Sequence, residues 1–379
     1  MPHNTGDLTV RTVREGRELR EFLRLPHTLY AQDPCWIAPL RLEQRQRYSN
    51  KNPYFQHAEW SAWVAYRGRR AVGRISAQID RLHQERYHDH TGHFGSIEAV
   101  DDPSVFQALF AAAEQWLTDR GMQQVTGPFN LSINEECGVL VDGFDSPPCI
   151  MMGHARPYYG HQIEALGFVK ARDLFAYRIS PEFQVPPVMR SLADKAASRV
   201  RVRPLDRSRL SAELELLRDI FNDAWSDNWG FVPFTEAEFR EVGKAMTLLL
   251  DDDFVQIAEI EGEPAAMIIA LPNVNEAIAD LDGRLFPFGW ARLLWRLKVT
   301  YPRTARIPLM GVRKRYQRSR LGPTLAFMVI HALRAPVIGR GIREVEMSWI
   351  LENNSAMRGM IETLGGSAYK RYRLYEKKL

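Results

Sequence analysis

The sequence predicts an α/β fold made of two similar mixed-sheet units in tandem. Three observations carry this reading: the length, a hairpin pattern that appears twice, and a proline-rich stretch between the copies. At 379 residues the chain is about twice the usual domain length, long enough for two separate cores. Hydrophobic residues make up 45% and charged residues 25%, which is the balance of a folded globular chain and excludes a disordered or fibrous protein.

The first hairpin is "EWSAWVAYRGRRAVGRISAQID" (59–80), alternating and rich in Val, Ile and aromatics about an "RGRR" turn. The second, "DFVQIAEIEGEPAAMIIAL" (253–271), has the same form about "EGEP". Each is followed by a strand, a helix and another strand. In the first half these are "HFGSIEAV", a helix within 101–121 that Asp102 can cap and Pro103 can open, and "QQVTG" (123–127). In the second half they are "ARIPLMGV", "TLAFMVIHALRAPVIGRG" (324–341) and "EVEMSWI" (344–350). Both halves end on a helix, a Leu-Gly turn and an aromatic-rich strand. The prolines of "SPEFQVPP" (180–187) interrupt regular structure, so the units are expected at 1–180 and 188–379.

Fifty basic and 46 acidic residues leave a net charge of only +4, so affinity for nucleic acid would have to come from a local patch, and no nucleic-acid partner is expected. Cys35, Cys137 and Cys149 are too few and too scattered for a disulfide framework or a zinc motif, which points to a reducing cytoplasm. The N-terminal "MPHNTGDLTVRTVREGREL" lacks the apolar core of a secretory signal, and no run approaches the roughly 18 apolar residues that span a bilayer. His83, His88 and His90, with Asp89 and His93 beside them, have no second ligand pair at zinc spacing, and no metal is expected.

The most charged segment is "GVRKRYQRSRLGP" (311–323). A basic, glycine-containing loop between a strand and a helix is an anion site, because helix N-terminal N–H groups and the macrodipole favour negative charge. The stretch Gln317, Arg318, Ser319, Arg320, Leu321, Gly322 resembles the acyl-CoA loop of GNAT acyltransferases, with Arg320 where the family has its first glycine. The resemblance implies two tandem GNAT-like units. It assigns CoA binding to these six residues, with Arg313 and Arg315 nearby, to Met310 and Val312 on the preceding strand, and to Asn354. Aligned on Leu364-Gly365, Asn354 takes the family's asparagine and Ile361 its tyrosine, the residue that often protonates the leaving thiolate. Isoleucine cannot do this, which leaves water or a downstream phenol, Tyr369 or Tyr372.

At the equivalent turn the N-terminal half reads "EAVDDPS", and carboxylates there would repel phosphates. That unit is expected to be degenerate for CoA binding and to serve the acceptor side. Its loop-rich segment "GPFNLSINEECGVLVDGFDSPPCIMMGHARPYYGHQIEALGF" (127–168) either makes turns only or lines a site. Because only a free amine attacks a thioester, a base is needed; Glu136, His154 and Glu352 are the candidates.

In "LFPFGWARLLWRLKVTYP" (285–302), Trp290, Leu293, Leu294 and Leu297 share a helical face edged by Arg292, Arg296 and Lys298. The face reads either as core packing with snorkelling cations or as a peripheral membrane contact at the inner face. The whole chain, especially "NWGFVPFTEAEF" (228–239), "GPFNLSINEECGVLVDGF" (127–144) and the C-terminal CoA-like loop, is similar to the bacterial ceramide synthases among GNAT-type proteins. The family implies transfer of a long acyl chain from acyl-CoA to the amine of a sphingoid base or another lipid or small-molecule amine. Two other readings stay open: a short-chain N-acetyltransferase of a soluble amine or protein, and a non-catalytic module binding nucleic acid or lipid through "RKRYQRSR" and "YKRYRLYEKK".

Overall fold

Residues 7–379 are described by a computed structural model, the side chains of 245–249 excepted; Met1 to Gly6 of the N-terminal segment read above lie outside it. The chain divides into two compact units. The first comprises residues up to Leu174 with Leu281–Arg284 and Lys370–Leu379; the second is Phe175–Asp280 with Leu285–Tyr369. Thus the last ten residues, which the sequence reading gives to the second unit, complete the first.

In chain order the first unit holds β1 (Leu8–Thr12), α1 (Arg17–Leu29), α2 (Arg41–Arg47), β2 (Ala58–Arg67), β3 (Arg70–Asp80), α3 (Arg81–Tyr87), β4 (Thr91–Ala99), α4 (Pro103–Thr118) and β5 (Gln124–Gly127). There follow β6 (Phe129–Asn130), β7 (Glu136–Cys137), β8 (Val139–Asp142), α5 (Tyr159–Glu164) and the start of β9 (Val169–Ile179). Strands β1 to β4 pair antiparallel in sequence order, and β4 pairs parallel with β5. Helix α4 begins where expected: Asp102 accepts the Ser104 N–H at 2.9 Å and Pro103 occupies the first turn. Val105, Phe106, Leu109, Phe110, Ala113 and Leu117, spaced three and four apart, are buried as the helix packs on β2 and β3.

The second unit holds α6 (Pro187–Ala196), β10 (Val200–Pro204), α7 (Leu210–Trp225), α8 (Glu236–Leu249), β11 (Val255–Ile260), β12 (Glu263–Pro272), α9 (Val274–Ile278), α10 (Gly289–Trp295), β13 (Thr304–Val312) and α11 (Lys314–Gln317). It continues with α12 (Leu321–Gly339), β14 (Glu344–Leu351), α13 (Ser355–Thr363) and the start of β15 (Ser367–Lys378). Strands β10 to β13 are antiparallel neighbours and β13 is parallel to β14. The end of β15 lies antiparallel to β5 over Tyr375–Lys378, within the first unit.

Helix α12 corrects one expectation. By length and composition it is apolar enough to cross a bilayer, although its charged neighbours hide this in the raw sequence. It is a core helix: Leu325, Phe327, Val329, Leu333 and Val337 are buried as it packs on β11 and β12.

The parallel strands part in both units. Pairing of β4 with β5 covers only Thr91–His93 against Gln124–Thr126, and pairing of β13 with β14 only Thr304–Ile307 against Glu344–Met347. Pro308, within β13, directly follows the last paired residue Ile307 and has no N–H to extend the ladder. Each unit therefore has a fork in its sheet. In the first unit the fork is filled by the chain itself: a Cβ on Gly95 would lie 1.9 Å from the Phe129 carbonyl oxygen. Gly95→Ala is therefore expected to cost about 3 kcal/mol, read as a lowered denaturation midpoint.

Candidate acyl-transfer site

In the second unit the fork of β13 and β14 is open on a polar root. Arg306 is fully buried and faces Glu346 across the ladder. Its Nε donates to Ser348 Oγ at 2.8 Å, its NH2 to the Ser348 carbonyl at 3.2 Å, and its guanidinium stacks 4.6 Å over Trp349. Ser348 Oγ donates to Glu346 Oε1 at 2.6 Å, and the Tyr369 hydroxyl donates to the other oxygen of the same carboxylate. The buried charge is thereby paired and hydrogen-bonded, the condition under which burial is tolerated. Sequence reasoning missed Arg306, Glu346 and Ser348, because polar residues at alternate positions of an aromatic-rich strand read as solvent-facing. Tyr369 belongs to this root, whereas Tyr372 is buried in the first unit.

Above the root, the carbonyls of Met310 and Val312 accept from Trp225 Nε1 at 3.2 Å and Gln317 Nε2 at 2.7 Å, while the Arg313 N–H turns the other way to Ala265 of β12 at 2.9 Å. Since backbone groups alternate along a strand, Met310 and Val312 present their N–H groups to the open edge. The loop then turns through α11 into α12. Gln317 fastens it with a second bond to the Ala224 carbonyl at 2.9 Å. Gly322 is required, because a Cβ there would meet the Tyr316 and Gln317 carbonyl oxygens at 2.8 and 2.9 Å.

The loop's own turns use several of its N–H groups. Ser319 N–H donates to Tyr316, Gly322 N–H to the Ser319 carbonyl and Leu321 N–H to Ser319 Oγ. Arg313 is held by Asp219 at 2.6 Å and Lys314 by Asp227, so neither is available in the way the sequence suggests for Arg313. Arg318 and Arg320 are exposed and without a partner among the described residues, at the start of a helix whose first N–H, on Leu321, is taken by Ser319 Oγ. This end of the molecule thus offers positive charge more than a backbone cradle. Asn354 caps α13, accepting the Met357 N–H at 3.2 Å. Glu352 stands just before it, its carbonyl held by Arg358 at 3.1 Å.

The first unit is arranged differently at every equivalent point. The Ser96 N–H beside the fork is taken by Asn130 Oδ1 at 2.8 Å, and Gln78 Nε2 ties down the Phe129 and Leu131 carbonyls at 2.7 and 3.0 Å. The N-terminus of α4 carries the Asp102 carboxylate, paired with Arg67 at 2.6 Å.

Glu136 and His154 sit in this unit, in separate ion-pair groups. Glu136 accepts from Arg47 at 3.2 Å and Asn130 at 3.0 Å; burial works to raise its carboxyl, but Arg47 and Asn130 outweigh it and hold it below the usual range. His154 Nε2 meets Asp33 at 3.0 Å, and burial holds the imidazole below its ordinary value despite that partner. The sequence pattern brings these residue types to one loop region; the structure adds Arg47, Asp33 and Arg156, whose approach no local signal announces. Of the histidine group, His83 meets Asp89 at 3.2 Å with the His93 ring edge-on at 4.7 Å. Among the described residues no three potential ligands gather to hold a metal.

A mixed α/β unit with a forked parallel pair and a basic strand-to-helix loop is the GNAT acyltransferase architecture, and comparison with known proteins agrees. No family model matches the chain. It is 52% identical to Protein YghO of Escherichia coli (strain K12) over 371 residues, spanning 98% of this chain and 95% of that one. It is 50% identical to the bacterial ceramide synthase of Caulobacter vibrioides (strain NA1000 / CB15N) over 377 residues, 99% and 98% of the two chains. A solved tandem GNAT protein from the clavulanic acid biosynthesis pathway shares the fold at a TM-score of 0.54 and 12% identity, covering 98% of each chain. The protein is thus a GNAT-fold acyltransferase, and at the family level an acyl-CoA-dependent N-acyltransferase. It belongs to the family that contains the bacterial ceramide synthase.

Glu136→Gln removes the charge while keeping the shape, and is expected to lower stability by about 2 kcal/mol at pH 7. A carboxyl held low when folded contributes above its unfolded value of about 4.3 and loses that contribution as pH falls through the folded value. Denaturation midpoints of the two proteins should therefore converge below about pH 4.

Proposed function

We propose that the chain transfers a long-chain acyl group from acyl-CoA to the amine of a lipid such as a sphingoid base, forming an amide. In this reading the two units are a GNAT tandem. The second binds the thioester, and the first, degenerate for CoA, serves the acceptor. The observation that carries the proposal is the contrast between the forks: one presents the Met310 and Val312 N–H groups, the other is occupied by Phe129 and Asn130.

The pantetheine arm would lie along β13, with the Val312 N–H on its amide and the Met310 N–H polarising the thioester carbonyl. Arg318 and Arg320 would meet the phosphates at the start of α12, with Ser319, Leu321 and Gly322 forming the turn that brings them there. Asn354, through its spare amide donor, would contact the same cofactor. The amine nitrogen attacks the carbonyl carbon, its proton passes to a base, and the C–S bond breaks as the thiolate leaves with a proton from water or from Tyr369. Glu136, His154 and Glu352 remain the proposed bases from the sequence.

A lipid acceptor is supported by the surface of the second unit. Phe286, Phe288, Trp290, Leu294, Trp295 and Val299 are all exposed within one short stretch, while only Leu297 of the predicted face is buried. Arg296 and Arg292 are folded back onto Asp280, which leaves Lys298 as the exposed cation beside the projecting aromatic residues. That arrangement suits a headgroup boundary, where Trp and Phe sit at low cost. In this reading the protein is a peripheral enzyme at the cytoplasmic face of a membrane.

Two measurements test this. In isothermal titration with CoA and palmitoyl-CoA, Arg318→Glu with Arg320→Glu should weaken binding at least tenfold; unchanged affinity would remove the loop from the site. In flotation with anionic vesicles, the protein should rise with the lipid and Trp290→Ser with Trp295→Ser should not, while palmitoyl-CoA affinity stays intact. Equal flotation of both proteins would count against the membrane contact.

A further inference from the structure

From the first unit we infer an ammonium site at Glu98, built for the head of the acceptor amine and resting on the acyl-transfer reading above. Glu98 closes β4 with its side chain only 14% exposed. Its Oε2 accepts from Tyr30 and Tyr159 hydroxyls, each at 2.7 Å. Its Oε1 has no hydrogen bond among the described residues, and the nearest cation, Arg74 NH2, stands at 4.0 Å. Arg74 is itself directed elsewhere, donating to the Phe22 carbonyl at 2.8 Å and stacking over the Phe22 ring. A carboxylate oxygen left open beside two buried phenols is a ready acceptor for an N–H donor.

A second open acceptor lies one side chain away. The Tyr30 hydroxyl that meets Glu98 is 3.5 Å from the His154 carbonyl, and the two rings are 5.5 Å apart. The His154 ring is 4% exposed. Its Nε2 faces the Asp33 carboxylate, which fixes the proton there and leaves Nδ1 as a bare lone pair. Nδ1 has no partner among the described residues. Around these groups stand two linked sets of charges, Arg47 with Glu43, Glu135 and Glu136, and Arg74 and Arg156 with Glu98 and Asp33, and the Lys370 ammonium also acts on His154; the five carboxylates outnumber the four cations. One open carboxylate oxygen and one open imidazole nitrogen, set beside the Tyr30 and Tyr159 hydroxyls, suit a primary ammonium whose neighbouring carbon bears a hydroxyl.

The bound ammonium would donate to Oε1 and its hydroxyl to Nδ1. When the amine becomes a nucleophile, one N–H proton passes to Oε1, leaving a neutral amine and a protonated Glu98. Burial raises the proton affinity of this carboxyl, which favours that hand-off. Glu98 thereby joins Glu136 and His154 as a residue of the acceptor side, and His154 becomes a positioning group for the hydroxyl.

The test compares octylamine with 1-octanol, which share a tail and differ in the head, by titration into the full-length protein. Wild type should prefer the amine at least tenfold, and Glu98→Gln should abolish the preference while binding palmitoyl-CoA as wild type does. Arg318→Glu with Arg320→Glu should keep the amine preference and lose CoA. No preference in wild type, a result that needs no folded variant, would overturn the site, as would a preference that survives Glu98→Gln. Amine preference without CoA affinity would keep the site and sink the acyl-transfer reading instead.

Discussion

The second unit depends on one interaction, the buried Arg306 guanidinium joining β13 to β14 immediately below the point where they separate. Two parallel strands that part company leave backbone groups unpaired, and the sheet would gain by closing or fraying there. Arg306 prevents both. It ties Ser348 and stacks on Trp349, while Glu346 and Tyr369 satisfy what remains. A network of this kind contributes less to net stability than its bonds suggest, because desolvating the ions costs nearly as much. Its value is geometric: it fixes where the ladder stops. Above that point the Met310 and Val312 N–H groups are held in place by the carbonyl bonds to Trp225 and Gln317.

The two units use the same sheet plan to opposite ends. In the first, Asn130 supplies the hydrogen bond that a ligand would supply, and Gln78 secures the segment that carries it. A helix start bearing Asp102 completes an end that repels phosphate. In the second, the corresponding helix start carries no carboxylate and has beside it two guanidiniums, Arg318 and Arg320, without a partner among the described residues. A few side chains around a shared fork separate the filled fork of the first unit from that of the second, and in the proposed reading this divides cofactor from acceptor. The fold alone could not assign those roles.

Much of this architecture is legible in the sequence. The hairpins read at 59–80 and 253–271 appear as β2–β3 and β11–β12, and the Asp102-Pro103 start of α4 is as the cap rules require. The charged loop lies between a strand and a helix, as read. Less was drawn from residues 13–58 and 188–252, where α1, α2, α7 and α8 lie. The buried positions Leu217, Ile220 and Phe221 of α7 are spaced three and four apart, so that signal is present. At 285–302 the sequence left core and surface equally open, since an exposed aromatic helix and a buried one share a pattern; only neighbours decide, and they cover Leu297 alone.

By itself, then, the sequence determined the repeated units, the helix caps and the strand-to-helix loop, because each follows from residues within a few positions of one another. The tertiary structure decided whether a fork is open or filled, which arginines are spent on carboxylates, and which unit receives the last strand. Those outcomes rest on partners far apart in the chain: Gln78 and Phe129 are 51 residues apart, Arg306 and Ser348 42, and Arg313 and Asp219 94. A pairing at that separation carries no local signature, since a buried arginine and an exposed one are the same letter until packing removes the water around one of them.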